Sequence, residues 1–318
     1  MTPRDRFLAT FRDGHLGCPA RWEDVRDDLL FGWSAHQLTA RCRLDRWQCE
    51  GPPGIDLAPR PGLERAVASP EQAREWYARF EHVDRGALDP AAAAHRHQHT
   101  WPLALSCWRG VFQTFGVRDG ATLTDHLYFL ADHPDLAAAM VAHLAQLVSE
   151  LVEPALAACE YDCLWFGEPI ASHHAPVISP TLFARVAGPF YTALIALGRR
   201  HGIELFVFES YGQVEALLPV VLAWGVNVLC LRHARAAGTD YRRLRARLGP
   251  DVGLLGGVDA RALAAGPAAI DAEVDQVVAP LLAAGRYQPM LDDRLRESTD
   301  PEAFVHYSLR VERLLAAG

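Results

Sequence analysis

Residues 204–213 read ELFVFESYGQ. Leu205, Phe206, Val207 and Phe208 form the unbroken apolar run of a strand buried on both faces, which is how strands of a parallel sheet read. The run stops at Glu209, Ser210 and Tyr211: a carboxylate, a hydroxyl and a phenol. A buried strand with a polar tip is what a (β/α)8 barrel requires, because there the reactive groups stand at the carboxyl ends of the strands.

The same alternation continues on both sides. Upstream, HPDLAAAMVAHLAQLVSELVEPALAACE (133–160) carries apolar residues at helical spacing, with Asp135 placed to serve its first turn. YDCLWFGE (161–168) is a short apolar strand, and SPTLFARVAGPFYTALIALGRRHG (179–202) is a helix with Ser179 as N-cap and Pro180 at its first position. Downstream come the helix QVEALLPVVLAWG (213–225), the strand VNVLCLRH (226–233), the helix TDYRRLRARLG (239–249) and the strand VGLLGGVD (252–259). Helices through 261–285, the strand RYQPMLD (286–292) and a last helix from Asp300 follow. Gly202, Gly225, Gly249 and Gly285 stand where a helix must end before a strand. PARWED (19–24) and WPLALSCW (101–108) are expected as earlier strands, and one more near LDRWQCEG (44–51) completes eight.

The expectation is therefore a single α/β domain over residues 1–318, a (β/α)8 barrel with an irregular excursion at 41–100. A doubly wound open sheet is the competing architecture. No glycine-rich dinucleotide fingerprint follows the first strand, which weighs against it. Within the excursion, GPPGIDLAPRPG (51–62) reads as a loop, SPEQAREWYARFEHV (69–83) as a capped helix, and AAAAHRHQHTW (91–101) as a histidine-bearing row or a solvated loop.

Composition narrows the function. The chain has 318 residues, half of them hydrophobic, and a net charge of −8 with no basic block, so a nucleic-acid partner is disfavoured. No uninterrupted apolar run approaches the roughly 20 residues that span a bilayer. With no signal-peptide core at MTPRDRFLAT, a cytoplasmic protein without a membrane association is expected. Seven scattered cysteines (Cys18, Cys42, Cys49, Cys107, Cys159, Cys163, Cys230) read as apolar packing rather than a disulfide framework. All 31 basic residues are arginine. The missing lysine excludes pyridoxal phosphate enzymes, Schiff-base aldolases and Walker A nucleotide sites, each of which needs that amine.

The barrel rule turns a list of polar residues into a candidate constellation: Glu23, Glu168, Glu209 with Ser210 and Tyr211, His233, Asp259, and Asp292 with Asp293. Each also has a plainer reading. Asp259 in GGVDARAL looks like a helix entry, His233 can be a satisfied core imidazole, and of the adjacent pair in SHHAP (172–176) at most one of His173 and His174 reaches a site.

Several stretches in order resemble one family. PRDRFLATFRDG (3–14), PVISPTLFARVAGPFYTALIALGRRHGI (176–203), FVFESYGQVEALLPVVLAWGVNVL (206–229), AAGTDYRRLRARLG (236–249), LLGGVDARALAAGPAAIDAEV (254–274) and GRYQPMLDDRLRESTDPEAFVHY (285–307) are similar to the uroporphyrinogen decarboxylase superfamily. The resemblance implies a (β/α)8 barrel, often a homodimer, with cofactor-free decarboxylases and corrinoid-linked methyltransferases among its members. Decarboxylases of porphyrinogens carry an arginine-rich RQAGR-type stretch where this chain has ARWEDVRDDLLFGW (20–33), with Arg21 and Arg26 but not the motif. The methyltransferase branch has histidine and cysteine, as zinc ligands, at the positions of Glu209 and Tyr211. What remains resembles an uncharacterised decarboxylase-like branch, with acids at the Glu168 and Glu209 positions and a histidine at the position of Asp293.

The first expectation is thus a lyase, a decarboxylase of a small carboxylated or heteroaromatic substrate. Glu168, Glu209, Tyr211 and Asp293 would be catalytic, and Glu23, His174, Arg232, His233, Asp259 and Asp292 would line the substrate. No cofactor is required for this; a zinc or iron ion, if one assists, would fall to Glu209, His173, His174 and His233. The second is a methyltransferase taking its methyl group from a corrinoid on a partner protein, and the third a non-catalytic barrel that binds a ligand.

Overall fold

The computed structural model describes residues 1–14, 19–23, 41–42, 48–50, 67–78, 100–108, 110–117, 119–295 and 299–317. Its elements are α1 (Pro3–Phe11), β1 (Gln48–Glu50), α2 (Pro70–Ala78), β2 (Leu103–Trp108), α3 (Val111–Thr114), α4 (Gly120–Asp132), α5 (Pro134–Ala158), β3 (Cys163–Gly167), α6 (Pro180–Arg200), β4 (Leu205–Tyr211), α7 (Leu218–Trp224), β5 (Val228–Arg232), α8 (Tyr241–Leu248), β6 (Gly253–Gly256), α9 (Arg261–Ala265), α10 (Pro267–Glu273), α11 (Ala279–Ala284), β7 (Tyr287–Gln288) and α12 (Pro301–Ala317). They gather into two compact units: a terminal unit of Met1–Gln48, Thr100–Pro102 and Asn227–Gly318, and a central unit of Cys49–His99 and Leu103–Val226.

In the central unit β2, β3 and β4 pair in parallel, with Leu105 opposite Leu164 and Leu164 opposite Phe206. Long helices connect and cover them. Ser179 caps α6 by accepting the Leu182 N–H, and Pro180 opens it, as the sequence predicts. Near its far end Gly198 has no side chain, so the helix lies close over Leu164 and Phe206; a Cβ there would stand 2.9 Å from one and 3.0 Å from the other.

In the terminal unit β5, β6 and β7 are likewise parallel, in register Leu229, Leu254, Tyr287 and Cys230, Leu255, Gln288. A bridge between Val258 and Leu291 carries the pairing beyond β7. The hydroxyl of Tyr241 on α8 accepts the Leu231 N–H at 2.9 Å and lies 3.0 Å from the Leu255 carbonyl, fastening the helix to two strands at once. All four glycines expected to end helices have positive φ; Gly225, at 106°, caps α7. The helices expected through 261–285 are α9, α10 and α11, with a π-turn at Val274–Val278 between the last two.

Two expectations are corrected. Residues 19–23 of PARWED form no strand. Pro19 has no N–H to give a ladder, and the segment is anchored by a side chain: buried Glu23 accepts the Leu291 N–H at 3.0 Å and the Tyr307 hydroxyl at 2.9 Å. The second concerns bilayer-length helices. By length and composition α5 and α6 are apolar enough to cross a membrane, although half of the apolar window of α5 and 56% of that of α6 is buried within the fold. Counting unbroken apolar runs missed them because a mean over a helix tolerates occasional charges. The strand expected at 44–51 lies largely outside the described residues, which include only Gln48–Glu50 of it. The histidine row 95–99 and Arg26 lie outside them too.

Candidate functional site

The register of β3 and β4 sorts the central unit's acids. Gly167 pairs with Glu209 and Trp165 with Val207, so these share one face; Phe166 and Phe208 share the other, as do Leu164 and Phe206. Helix α6 covers the second face, where the Tyr191 ring lies 4.8 Å from that of Phe166. Strand alternation then separates the two expected catalytic carboxylates. Glu168, two residues after Phe166, is turned toward the helix and fully buried. Its Oε1 accepts the Val111 N–H at 2.8 Å, and its Oε2 lies 3.4 Å from the Tyr191 hydroxyl. Burial first, then the charge of Glu168, pushes the Tyr191 phenol well above its ordinary range. Ser210 shares that face and donates to the Glu168 carbonyl at 2.5 Å. These groups tie the end of β3 to α3, α6 and β4.

Glu209 points the other way. Its Oε2 accepts the indole N–H of Trp165 at 2.7 Å, and its other oxygen has no hydrogen bond among the described residues. Tyr211, two residues on, has the same parity and is likewise half-buried. His173 and His174 are exposed at the tip of the β3–α6 connection, their rings edge to face at 5.4 Å. Ser172 shapes that tip, accepting the N–H groups of His174 and Ala175 at 3.2 Å each. Gly212 packs against the Ser172 carbonyl so closely that a Cβ would stand 2.3 Å from the oxygen, so the histidine loop is fixed beside the end of β4.

In the terminal unit the expected residues gather more tightly. His233 directly follows β5 with φ of 52°, a left-handed conformation that costs a non-glycine residue about 1 kcal/mol or more. Its backbone N–H donates to the Asp292 carbonyl at 2.6 Å, and its Nε2 lies 3.3 Å from Oδ1 of Asp293. Both side chains are partly exposed, so the pair has access to solvent. Asp292 is buried and works on the backbone: its carboxylate accepts the N–H groups of Arg235 at 2.9 Å and Ala260 at 3.2 Å. Burial raises the Asp292 carboxyl above its ordinary value, and those two bonds only partly offset it.

Asp259 accepts the Arg261 N–H at 2.9 Å, as a helix entry would, and also clamps the Arg261 guanidinium. Burial pushes its carboxyl up, but the bonds from Arg261 outweigh that and hold it below the usual range. Arg232 is buried, with Nη1 3.5 Å from the Met290 sulfur.

Three residues that matter to this arrangement escaped the sequence reading. Glu273 accepts the Asp259 N–H at 3.0 Å and the Arg235 guanidinium at 3.3 Å. No periodic signal marks it, since it lies just before the π-turn. Trp165 reads as one more apolar strand residue until cross-strand register sets its indole beside Glu209. Arg261 was visible only as the second residue after Asp259. Among the described residues no three histidine, cysteine, aspartate or glutamate side chains stand close enough together to hold a metal ion. The described cysteines, Cys42, Cys107, Cys159, Cys163 and Cys230, are buried, and none of them is in a disulfide.

No family model matches the chain, and no curated protein matches it. Solved structures do. One is a methyltransferase from Methanosarcina mazei, matched with probability 1.00 and a TM-score of 0.51 at 13% identity, over 70% of this chain and 62% of that one. The likeness is one of fold, an α/β arrangement of parallel strands and helices, and this chain spans less than two thirds of the matched protein.

Proposed function

We propose that the chain is a single-domain barrel enzyme of the uroporphyrinogen decarboxylase type, a lyase that decarboxylates a small carboxylated or heteroaromatic substrate by proton transfer. The observation that carries this reading is the His233–Asp293 pair, held at the carboxyl ends of β5 and β7 by a strained backbone and by the Asp292 carbonyl. Loss of CO2 leaves a carbanion whose electrons must delocalise into the substrate and whose carbon must then take a proton. His233 is the proton donor in this scheme. Asp293 orients the imidazole and balances its charge while it is protonated, as a carboxylate beside a catalytic histidine does. Glu209, fixed through one oxygen by Trp165, is a second acid/base group in the central unit, and Tyr211 shares its face. Glu168, wholly engaged with Val111 and Tyr191, is assigned to structure rather than chemistry. No cofactor is needed for this scheme. A homodimer in the cytoplasm belongs to the same proposal.

Methyl transfer is the second reading, and the specific observation favouring it is that the matched structure is a methyltransferase. A corrinoid on a partner protein would supply the methyl group. Two assays separate the readings. Purified protein incubated with a panel of carboxyl-labelled aromatic and heteroaromatic acids should release labelled CO2. His233→Asn and Asp293→Asn should each lower that rate by about 10²–10⁴-fold. Bleaching of methylcobalamin absorbance in the presence of a thiol, with no CO2 released from the panel, would move the assignment to methyl transfer. Release of CO2 at an unchanged rate in both variants would remove the dyad from the chemistry.

A further inference from the structure

The terminal unit holds a cleft of about 840 Å³ at the carboxyl ends of β6 and β7, within the size range of small-molecule sites. Asp293, the partner of His233, is in its wall. Much of the rest is apolar: Leu263 and Ala264 come from α9, and Leu309 from α12. Leu309 is one of only three large apolar side chains exposed among the described residues.

One charged group in this wall is set for a ligand. Asp259 binds Nε and Nη2 of Arg261, at 2.9 and 2.7 Å, and so fixes the plane of the guanidinium. Nη1 has no hydrogen bond among the described residues, and the side chain is 68% exposed. A guanidinium with one edge clamped and the rest unspent has already lost the rotamer freedom that binding would otherwise cost, and its planar donors match a carboxylate. Arg41, on the same wall, is different: both of its Nη atoms are taken by Glu302.

We infer that this cleft binds an amphipathic organic carboxylate, with its acid group on Arg261 and its apolar body against Leu263, Ala264 and Leu309. Asp259 is the positioning residue for Arg261. The inference rests on the lyase reading for its identification of the cleft as the substrate compartment, and it narrows the substrate from any small acid to one with an apolar body.

The test uses two probes of one shape, 4-phenylbutyrate and its neutral amide 4-phenylbutanamide, titrated calorimetrically into the full chain. The acid should bind at one site per chain, and the amide about tenfold or more weaker. Arg261→Ala should weaken the acid by about that factor and leave the amide unchanged. Asp259→Asn should weaken the acid less, since the arginine remains but is no longer clamped. Ala264→Trp, at an exposed helical position with circular dichroism to verify folding, should fill the cleft and weaken both probes. Equal affinity for acid and amide, unchanged acid binding in Arg261→Ala, or no heat from either probe would overturn the inference. No turnover is measured, so the outcome is independent of the dyad. Acid binding that persists in His233→Asn upholds the compartment even if the lyase assay fails.

Discussion

Glu168 and Glu209 show how much rides on one step of strand parity. Both follow apolar strands, and both read from the sequence as carboxylates at a strand tip. The helix-facing one accepts the Val111 N–H and approaches Tyr191, while the other accepts an indole N–H. Glu168→Gln replaces an acceptor oxygen with an NH2 group and leaves a buried donor without a partner, which costs about 1–3 kcal/mol. Glu209→Gln keeps an oxygen for Trp165 and should cost no more than about 0.5 kcal/mol, the range of substitutions that disturb no buried partner. Urea unfolding of the two variants makes the comparison, and equal midpoints would sink the assignment of Glu168 to structure. The chain alone could not have made this distinction, because both faces of a buried strand are apolar and only the pairing between strands shows which face each acid joins.

His126 offers a second test at the same scale. Its ring is wholly buried beside Phe112, Phe115 and Phe129, and Nδ1 donates to the Val67 carbonyl at 2.8 Å. Burial lowers its pKa to about 4, only partly countered by that bond. The folded value lies below the unfolded one near 6.5, so above that pH neither state takes the proton. Between about 6.5 and 4 the unfolded chain is protonated and the folded chain is not. Stability should fall across this window by roughly 3 kcal/mol in total. His126→Asn, which keeps a donor for Val67 but does not titrate, should remove that part of the pH dependence. Urea midpoints from pH 7 to 4 would show it as a difference between the two proteins that narrows on acidification; a constant difference would remove His126 from the acid response.

At the scale of elements the sequence was most informative where a single residue type carries a backbone requirement. Ser179 and Pro180 start α6, and glycines end the helices before β4, β5, β6 and β7, because caps and left-handed turns are local. The sequence failed at PARWED, where Glu23 makes a long-range connection to Leu291 and Tyr307 that no window could contain. The π-turn at Val274–Val278 has no signature of its own in the sequence, since it keeps the apolar pattern of the helices on either side. Tyr241 is a fastening over a much shorter separation than that of Glu23. Removing its hydroxyl in Tyr241→Phe leaves the buried Leu231 N–H without its partner, at a cost of about 1–3 kcal/mol. The loss should appear both as a lower unfolding midpoint and as faster hydrogen exchange at the Leu231 amide. Unchanged exchange there would mean that β5 does not depend on α8.

The whole molecule raises a question that neither residues nor elements answer: two helices have the length and composition of membrane spans. Hydropathy measures transfer out of water and does not distinguish a lipid interior from a protein one. Burial does. The apolar face of α6 is committed to Phe166, Phe208 and Trp224 through Tyr191, and to Leu164 and Phe206 at Gly198. Its outward positions include Arg185, paired with Asp135 at the start of α5, and Arg199 and Arg200 in the last turn. Placing α6 in a bilayer would strip apolar contacts from one face and bury arginines on the other, each at about 2.5–3.5 kcal/mol at the membrane centre by insertion scales. The full chain should therefore remain in the supernatant after ultracentrifugation of a detergent-free lysate. Gly198→Arg, which forces a cation between α6 and the sheet and opens that core, should move it to the pellet as aggregate. Wild-type protein that sediments with membranes and is released only by detergent would show that the apolar faces of these helices are not satisfied by the fold.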